Sequence, residues 1–375
     1  MKVVRVEPFP VSYPEPNDHG RHRAVCLVKI TADDGQVGWG ECTTYFPAAA
    51  RAAGVIVESL ATLVVGQNPV QIDTIMRKLY AETWWYGTTG GIAAFAISGI
   101  DIALWDLKGK ILGASVVDLL GGPVKETLPA IVSSHATSND IGEMAEEIAG
   151  WLETGLTGVK VGFGKLGDAN LGFEHDRDVA FMKAVRAAIG PDKSIMIDCG
   201  VRNSWSLMDS IRRVRAFEEY GLDWIEEPLG HDDPLGYAQL KAAVTTKIAY
   251  GEREYQVQGV DRLIATGTCD VVGLDPGRIG GITGFSRSCD RIALVNRREA
   301  NAHAWSTAID TAASLAISWA KPVCHQLEEQ PFKGPMQDDL IGGAFVHENG
   351  HMAIPQGHGL GIEVDESVVQ RYLIA

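Results

Sequence analysis

From about residue 126 onward, short apolar runs alternate with longer stretches whose apolar residues recur every three or four positions. The runs are LPAIVSS, GVKVGF, SIMIDCG, LDWIEEP, KIAYGE, DVVGLDP, EANAHA and, less clearly, VCHQLEE. Runs this short and this apolar suit strands buried in a parallel sheet, and the intervening DVAFMKAVRAAIG and LMDSIRRVRAFEEYG carry the helical period. Eight such units over roughly 220 residues predict an α/β fold, a modified (β/α)8 TIM-type barrel, with the eighth strand and the first helix weakly marked.

The first 125 residues have a different rhythm. AVCLVKITADDGQVGWGEC (24–42) is two strand-like runs around Asp33-Asp34-Gly35, which predicts a hairpin. Helical stretches follow at 48–66, 68–84 and 91–113, so this part reads as α+β. LLGGPVKETLPA marks a boundary near 120–130. The expected organisation is an N-terminal α+β domain over 1–125, a barrel over 126–350 and a C-terminal segment over 351–375.

Composition narrows the function. With 46% hydrophobic and 22% charged residues in a chain of 375, the balance is that of a soluble globular protein. A net charge of −15 argues against nucleic-acid and anionic-membrane partners, which need a concentrated basic face. The six cysteines are scattered without a Cys-x-x-Cys pair, which suits reduced thiols. MKVVRVEPFPVSYPEP lacks the apolar core of a signal peptide, and no apolar run approaches the ~20 residues needed to span a bilayer. The expectation is a cytoplasmic protein.

The chemistry lies at the strand ends, where barrels place their functional groups. Reading the last residues of the successive strands gives Lys160, Asp198, Glu226, Glu252, Asp275, His303 and Glu328. They are spaced at close to one βα period, so most strands deliver one ionisable group to the same mouth. Asp198, Glu226 and Glu252 fall on three successive strands. Converging carboxylates would push one another's pKa upward, and a hard divalent cation such as Mg2+ relieves this with oxygen ligands. Each could instead cap a helix or pair with Arg202 or Arg253. Asp275 and His303 follow on adjacent strands: a carboxylate on one ring nitrogen fixes the imidazole and leaves the other as a base. Glu328 could hydrogen-bond a substrate oxygen. A metal facing a histidine base suits removal of a proton α to a carboxylate, with the metal stabilising the resulting enediolate.

SGIDIALWDLKGKILGASVVDLLGG, IMIDCG, DWIEEP, IAYGE, DVVGLDPGRIGGITG, NAHAWS and the late IPQGHGLGIEVDE together resemble the enolase superfamily, in its mandelate racemase-like subgroup. That resemblance covers essentially the whole chain. It implies an N-terminal capping domain on the barrel, with the C-terminal segment returning to it, and one Mg2+ per subunit on Asp198, Glu226 and Glu252. It also implies Asp275–His303 as the base dyad, Glu328 as the electrophilic partner, and a homo-oligomer. Loops near 13–24 and 45–55 and the aromatic TWWYG (83–87) would close over the substrate.

Many members of that subgroup carry Lys-x-Lys at the end of the second strand, the second lysine being a base on the opposite substrate face. An ungapped count from Gly155 puts the first lysine on Lys160 and the second on Gly162. A two-residue shift would instead make Lys160 the second lysine, with Gly158 in the first place. The ungapped reading resembles the acid-sugar dehydratases, rhamnonate dehydratase among them, in which His303 alone takes the proton and Lys160 binds the substrate carboxylate. A single histidine can take the α-proton and return it to the departing β-hydroxyl. The expected activity is therefore dehydration of an aldonate or aldarate to a 2-keto-3-deoxy sugar acid, with a small-molecule carboxylate as substrate. Epimerisation, racemisation or cycloisomerisation through the same enediolate is the enzyme alternative, and a metal-stabilised binding protein the non-enzyme one. Candidate substrate contacts are His22, Arg23, His135, Arg202 and Trp85, with His19 and Arg253 beside them.

Overall fold

The computed structural model describes residues 1–87, 90–200, 202–203, 205–295, 298–343 and 345–374. Its first sheet is antiparallel in the order β1 (Val3–Glu15), β2 (Arg21–Ala32), β3 (Val37–Cys42). The 24–42 hairpin is therefore present, and β1 is an additional strand that the pattern did not predict. The reason is proline: Pro8, Pro10 and Pro14 interrupt the run. All three pair opposite β2 at alternate positions, where the backbone nitrogen points away from β2. Ser12, of the same parity, donates its N–H outward to the Tyr372 carbonyl, and Ile374 donates back to Pro10. The chain's last residues thus lie along the outer edge of β1.

Three helices cover this sheet: α1 (Pro47–Val64), α2 (Ile72–Glu82) and α3 (Ile92–Leu112). On α1, Ala50, Ala53, Val57, Leu60 and Val64 form the buried stripe, the three-and-four spacing of a helix with one face on a core. The stretch 45–55, expected as a capping loop, is mostly the first turns of this helix. The short α4 (Val116–Leu119) ends the domain's helices, and its N-cap Ser115 accepts from the Asp118 N–H.

The barrel strands are β4 (Leu128–Ser134), β5 (Gly158–Phe163), β6 (Ser194–Cys199), β7 (Leu222–Glu226), β8 (Lys247–Tyr250), β9 (Val271–Leu274), β10 (Glu299–Ala302) and β11 (Cys324–Glu329). They pair in parallel in chain order, and β11 closes on β4. The alternation of side chains decides what faces the axis. Val159 and Val161 pack outward with the helices, as do Ile195 and Ile197. Their odd-man neighbours face inward: Ile131, Met196, Trp224, Ala249 and Val271 form a small separate core that plugs the barrel floor. Lys160, in register with Met196, shares that inward parity, as do Asp198 and Glu226 one inward step nearer the strand ends.

Seven helices link the strands: α5 (Ile141–Leu152), α6 (His175–Ile189), α7 (Leu207–Glu218), α8 (Pro234–Ala243), α9 (Val257–Thr266), α10 (Gly281–Ala293) and α11 (Ala308–Ala320). The eighth unit is where the barrel is modified. After β11 the described residues hold no long helix but a single 3-10 turn, Asp339–Ile341, and a two-strand hairpin, β12 (His347–Glu348) and β13 (His351–Met352). Pro331, Pro335, Gly342 and Gly343 in this stretch explain why no helix propagates. β13 pairs antiparallel with the start of β4, and α12 (Glu366–Arg371) leads the chain back to β1.

Candidate active site

Asp198 and Glu226 sit side by side, paired residues at the ends of β6 and β7, and Glu252 follows just past the end of β8. Each is engaged by its own cation. Lys165 Nζ lies 2.8 Å from Asp198, Lys160 Nζ 2.9 Å from Glu226, and Arg278 donates to Glu252 at 2.6 Å. Lys160 also donates to Glu328 at 2.6 Å, so the inward lysine is clamped between two carboxylates on strands that lie apart in the barrel. It is only 3% exposed. Burial opposes its charge, but Glu226 and Glu328 outweigh that and hold its pKa well above the ordinary range.

Burial likewise opposes ionisation of Asp198 and Glu252. Lys165 and Lys160 nonetheless hold Asp198 low, and Arg278 and His303 hold Glu252 well below its usual value. Glu226 goes the other way: burial, with Asp198, Glu328 and Glu252 nearby, pushes it up to about 8 against the pull of Lys160. The row carries more carboxylate than its ammonium groups can keep ionised. Three strand-end carboxylates in sequence, all hard oxygen donors and short of positive charge, fit a divalent cation of the Mg2+ type.

At the other end of the row, His303 Nδ1 lies 2.9 Å from Asp275 Oδ2. Its Nε2 has Tyr45 Oη at 3.4 Å and Glu252 at 3.6 Å, and His303 lines the cavity. Burial opposes the imidazolium, while Glu252 and Asp275 favour it and raise the pKa overall. Asp275, His303 and Asp310 bring their donor atoms within 4.8 Å of one another, the spacing of a metal triad. Asp275 and Asp310 are both fully buried, however, and Arg278 Nε already lies 3.3 Å from Asp275. Burial, Asp275 and Glu41 push the Asp310 carboxyl well above the ordinary range, and it lies directly behind the dyad. Glu41 of the capping domain is held by the Ser306 and Thr307 hydroxyls, which follow His303 in the chain.

Asp198, Glu252 and His303 open onto a cavity of about 440 Å3 between capping domain and barrel. Arg23, His135, Arg202 and Arg253 line it, as do Lys160, His303 and Glu328. His22 and Trp85 are not on its wall. His22 neighbours Arg23 on β2 and so points to the opposite face, where its ring meets Ser12. Trp85 is 80% exposed and packs edge-on against Trp84. His19 reaches the cavity region only by stacking beyond His135. The Arg23 guanidinium is sandwiched between the Tyr45 and Trp305 rings, 4.4 and 4.2 Å from their centroids.

Besides Tyr45 and Asp310, four further residues at the site were not singled out from the sequence. Asp18 pairs with Arg21 and Arg23, and Arg278 bridges Glu252 and Asp275. Arg278 stands in the run DPGRIGG directly after Asp275, a signal that was available. Glu41 lies in a strand, where its burial has no sequence signature. Lys165 is the most consequential: it sits in the loop after β5, and its side chain runs back over Gly162. A Cβ on Gly162 would fall 2.6 Å from Lys165 Cγ, and one on Gly200 would fall 3.1 Å from Lys165 Cδ.

Residues 5–121 match the family described as Mandelate racemase / muconate lactonizing enzyme, N-terminal domain, and residues 143–368 match Enolase C-terminal domain-like. The D-galactarolactone cycloisomerase of Agrobacterium fabrum is 29% identical over 363 residues, covering 93% of this chain and 91% of that protein. The L-talarate/galactarate dehydratase of Salmonella typhimurium is 31% identical over 350 residues, covering 92% of this chain and 81% of that protein. Among solved structures, the 3,6-anhydro-D-galactonate cycloisomerase from Zobellia galactanivorans superposes with a TM-score of 0.89 at 28% identity, over 100% of both chains. Dehydratases and cycloisomerases thus stand at similar distances from this chain.

Proposed function

The chain belongs to the mandelate racemase/muconate lactonizing enzyme group of the enolase superfamily, and from that premise we propose that it is a Mg2+-dependent dehydratase of an acid sugar. The observation that carries this reading is the Asp275–His303 pair, 2.9 Å apart, beside a row of three strand-end carboxylates, of which Asp198 and Glu252 line the same polar cavity as His303 and Glu226 lies buried between them against Lys160. Asp198, Glu226 and Glu252 would hold the ion. Bound there, Mg2+ would stabilise the negative charge that builds on a substrate carboxylate as its α-proton leaves.

The remaining work falls to the chain's own groups. Lys160, fixed between Glu226 and Glu328, offers an ammonium at the cavity floor for the substrate carboxylate. His303 Nε2 takes the α-proton, while Asp275 behind Nδ1 orients the ring and stabilises the imidazolium. The same imidazolium then gives its proton to the β-hydroxyl. The C–O bond breaks, water leaves, and the resulting enol tautomerises to a 2-keto-3-deoxy acid.

Incubation of the Mg2+-loaded protein with galactarate, gluconate and galactonate, followed by semicarbazide detection of keto acid, tests this. The expected result is keto acid from at least one of these acids, and none from His303→Asn. A second reading, cycloisomerase or epimerase, is favoured by Lys165, which puts a second polar group at the position Gly162 leaves open. Turnover confined to a lactone or anhydro sugar acid would support the cycloisomerase. Deuterium entering C2 of unconsumed acid, without keto acid, would support the epimerase. Neither turnover nor exchange on any of these compounds would leave the binding-protein reading.

A further inference from the structure

Lys165 reaches the carboxylate row by an unusual route. It follows Gly164, whose φ of 66° turns the chain sharply back toward the barrel mouth. Two backbone bonds pin this turn, from Gly164 N–H to the Leu171 carbonyl at 2.8 Å and from Gly200 N–H to the Phe163 carbonyl at 2.7 Å. The side chain then passes through a slot cleared by Gly162 and Gly200 and ends 2.8 Å from Asp198. The backbone is fixed, but four side-chain torsions stay free to redirect the ammonium, and the side chain is 23% exposed to the cavity.

The position relative to the row is informative. Asp198, on β6, is the first of the three candidate ligands and is gripped by Lys165. Glu252, after β8, is the last and lies 3.6 Å from His303. The row is therefore flanked by an ammonium on one side and an imidazole on the other. An ammonium on Asp198 and a divalent cation on Asp198 compete for the same oxygen charge.

We propose that Lys165 is a displaceable counter-ion. It holds Asp198 until a divalent cation takes that carboxylate, and its ammonium then turns into the cavity to face the bound acid from the flank opposite His303. This rests on the reading of Asp198, Glu226 and Glu252 as the metal site. In this arrangement Gly162 is a clearance for a lysine that arrives from the loop rather than from the strand.

The full chain is acetylated briefly with an amine-reactive ester, once in EDTA and once with Mn2+, and modification is read by peptide mass spectrometry. Lys2 and Lys333, both exposed, serve as references. The expected result is labelling of Lys165 that rises severalfold with Mn2+ while the references stay constant. In parallel, Mn2+ affinity is measured by water-proton relaxation for wild type and Lys165→Met. Removing the competing ammonium should tighten binding by about tenfold, the scale of one charge-assisted hydrogen bond. Tight Mn2+ binding with unchanged or slower Lys165 labelling, or with equal or weaker affinity in Lys165→Met, would overturn the inference alone. Failure of wild type to bind Mn2+ at all would overturn the metal reading and this inference with it.

Discussion

Asp101 couples the capping domain to the barrel, and its charge state makes that coupling depend on pH. It lies on α3, fully buried, and its Oδ1 accepts the Thr283 N–H at 2.9 Å. One turn earlier Ser98 Oγ accepts the Gly280 N–H, also at 2.9 Å. Both donors belong to the N-terminus of α10, so side chains of the capping domain satisfy orphan N–H groups of a barrel helix. Asp101 Oδ2 is buried without a partner. Burial therefore dominates and pushes the carboxyl up to about 7, although Thr283 and Arg287 pull it down. An aspartate in the unfolded chain ionises near 3.9. Below that value both states hold the proton, and the stabilisation is fully present. Between there and about 7 only the folded chain holds it, so stability falls as pH rises, by roughly 1.4 kcal/mol per unit. Above about 7 the loss is complete.

Asp101→Asn keeps an acceptor for Thr283 and removes the ionisation. Its stability relative to wild type should therefore improve by roughly 3 kcal/mol between pH 5 and pH 8, and Asp101→Asn should be the more stable protein at pH 8. Urea unfolding followed by circular dichroism, run on both proteins at pH 5, 6.5 and 8, measures this. Other groups that titrate in this range cancel in the difference. A wild-type-to-variant gap that is the same at pH 5 and pH 8, or that moves in wild type's favour, would refute the assignment.

Glu252→Gln should weaken Mg2+ or Mn2+ binding at least tenfold by calorimetry, because it removes one anionic ligand and the charge that faces Arg278 at 2.6 Å; unchanged affinity would remove Glu252 from the ligand set. Gly162→Ala is tested by contact alone, since its φ lies outside the left-handed region. The new Cβ meets Lys165 Cγ and His135 Cδ2 at 2.6 Å, and a loss of about 1–3 kcal/mol in urea unfolding is expected. Arg23→Met should lower stability by about 1–2 kcal/mol in the same assay through loss of the Tyr45 and Trp305 ring contacts, and a neutral result would mean that the sandwich is not stabilising.

How far the sequence could be read depended on whether position along the chain mapped onto position in space. In a parallel barrel it does: each βα unit advances one strand, so periodic strand-end acids become neighbours at one mouth. That mapping assigns Lys160, Asp198, Glu226, Glu252, Asp275, His303 and Glu328 to consecutive strands from the sequence. Where the mapping breaks, the reading broke with it. β1 hides behind prolines that an edge strand tolerates. His22 and Arg23 were proposed together, although the alternation of a strand allows only one of two neighbours to face a given site. Lys165 shows the deeper limit. Counting along β5 finds glycine where a second lysine would stand, and the count is correct about the strand. It says nothing about a loop side chain that folds back over that glycine to reach Asp198. A missing Cβ is a vacancy in the strand and a passage in the fold. For this reason Gly162 does not by itself weigh against two-sided chemistry, and on the proposed metal reading the direction of the Lys165 ammonium bears on the choice between dehydration and isomerisation.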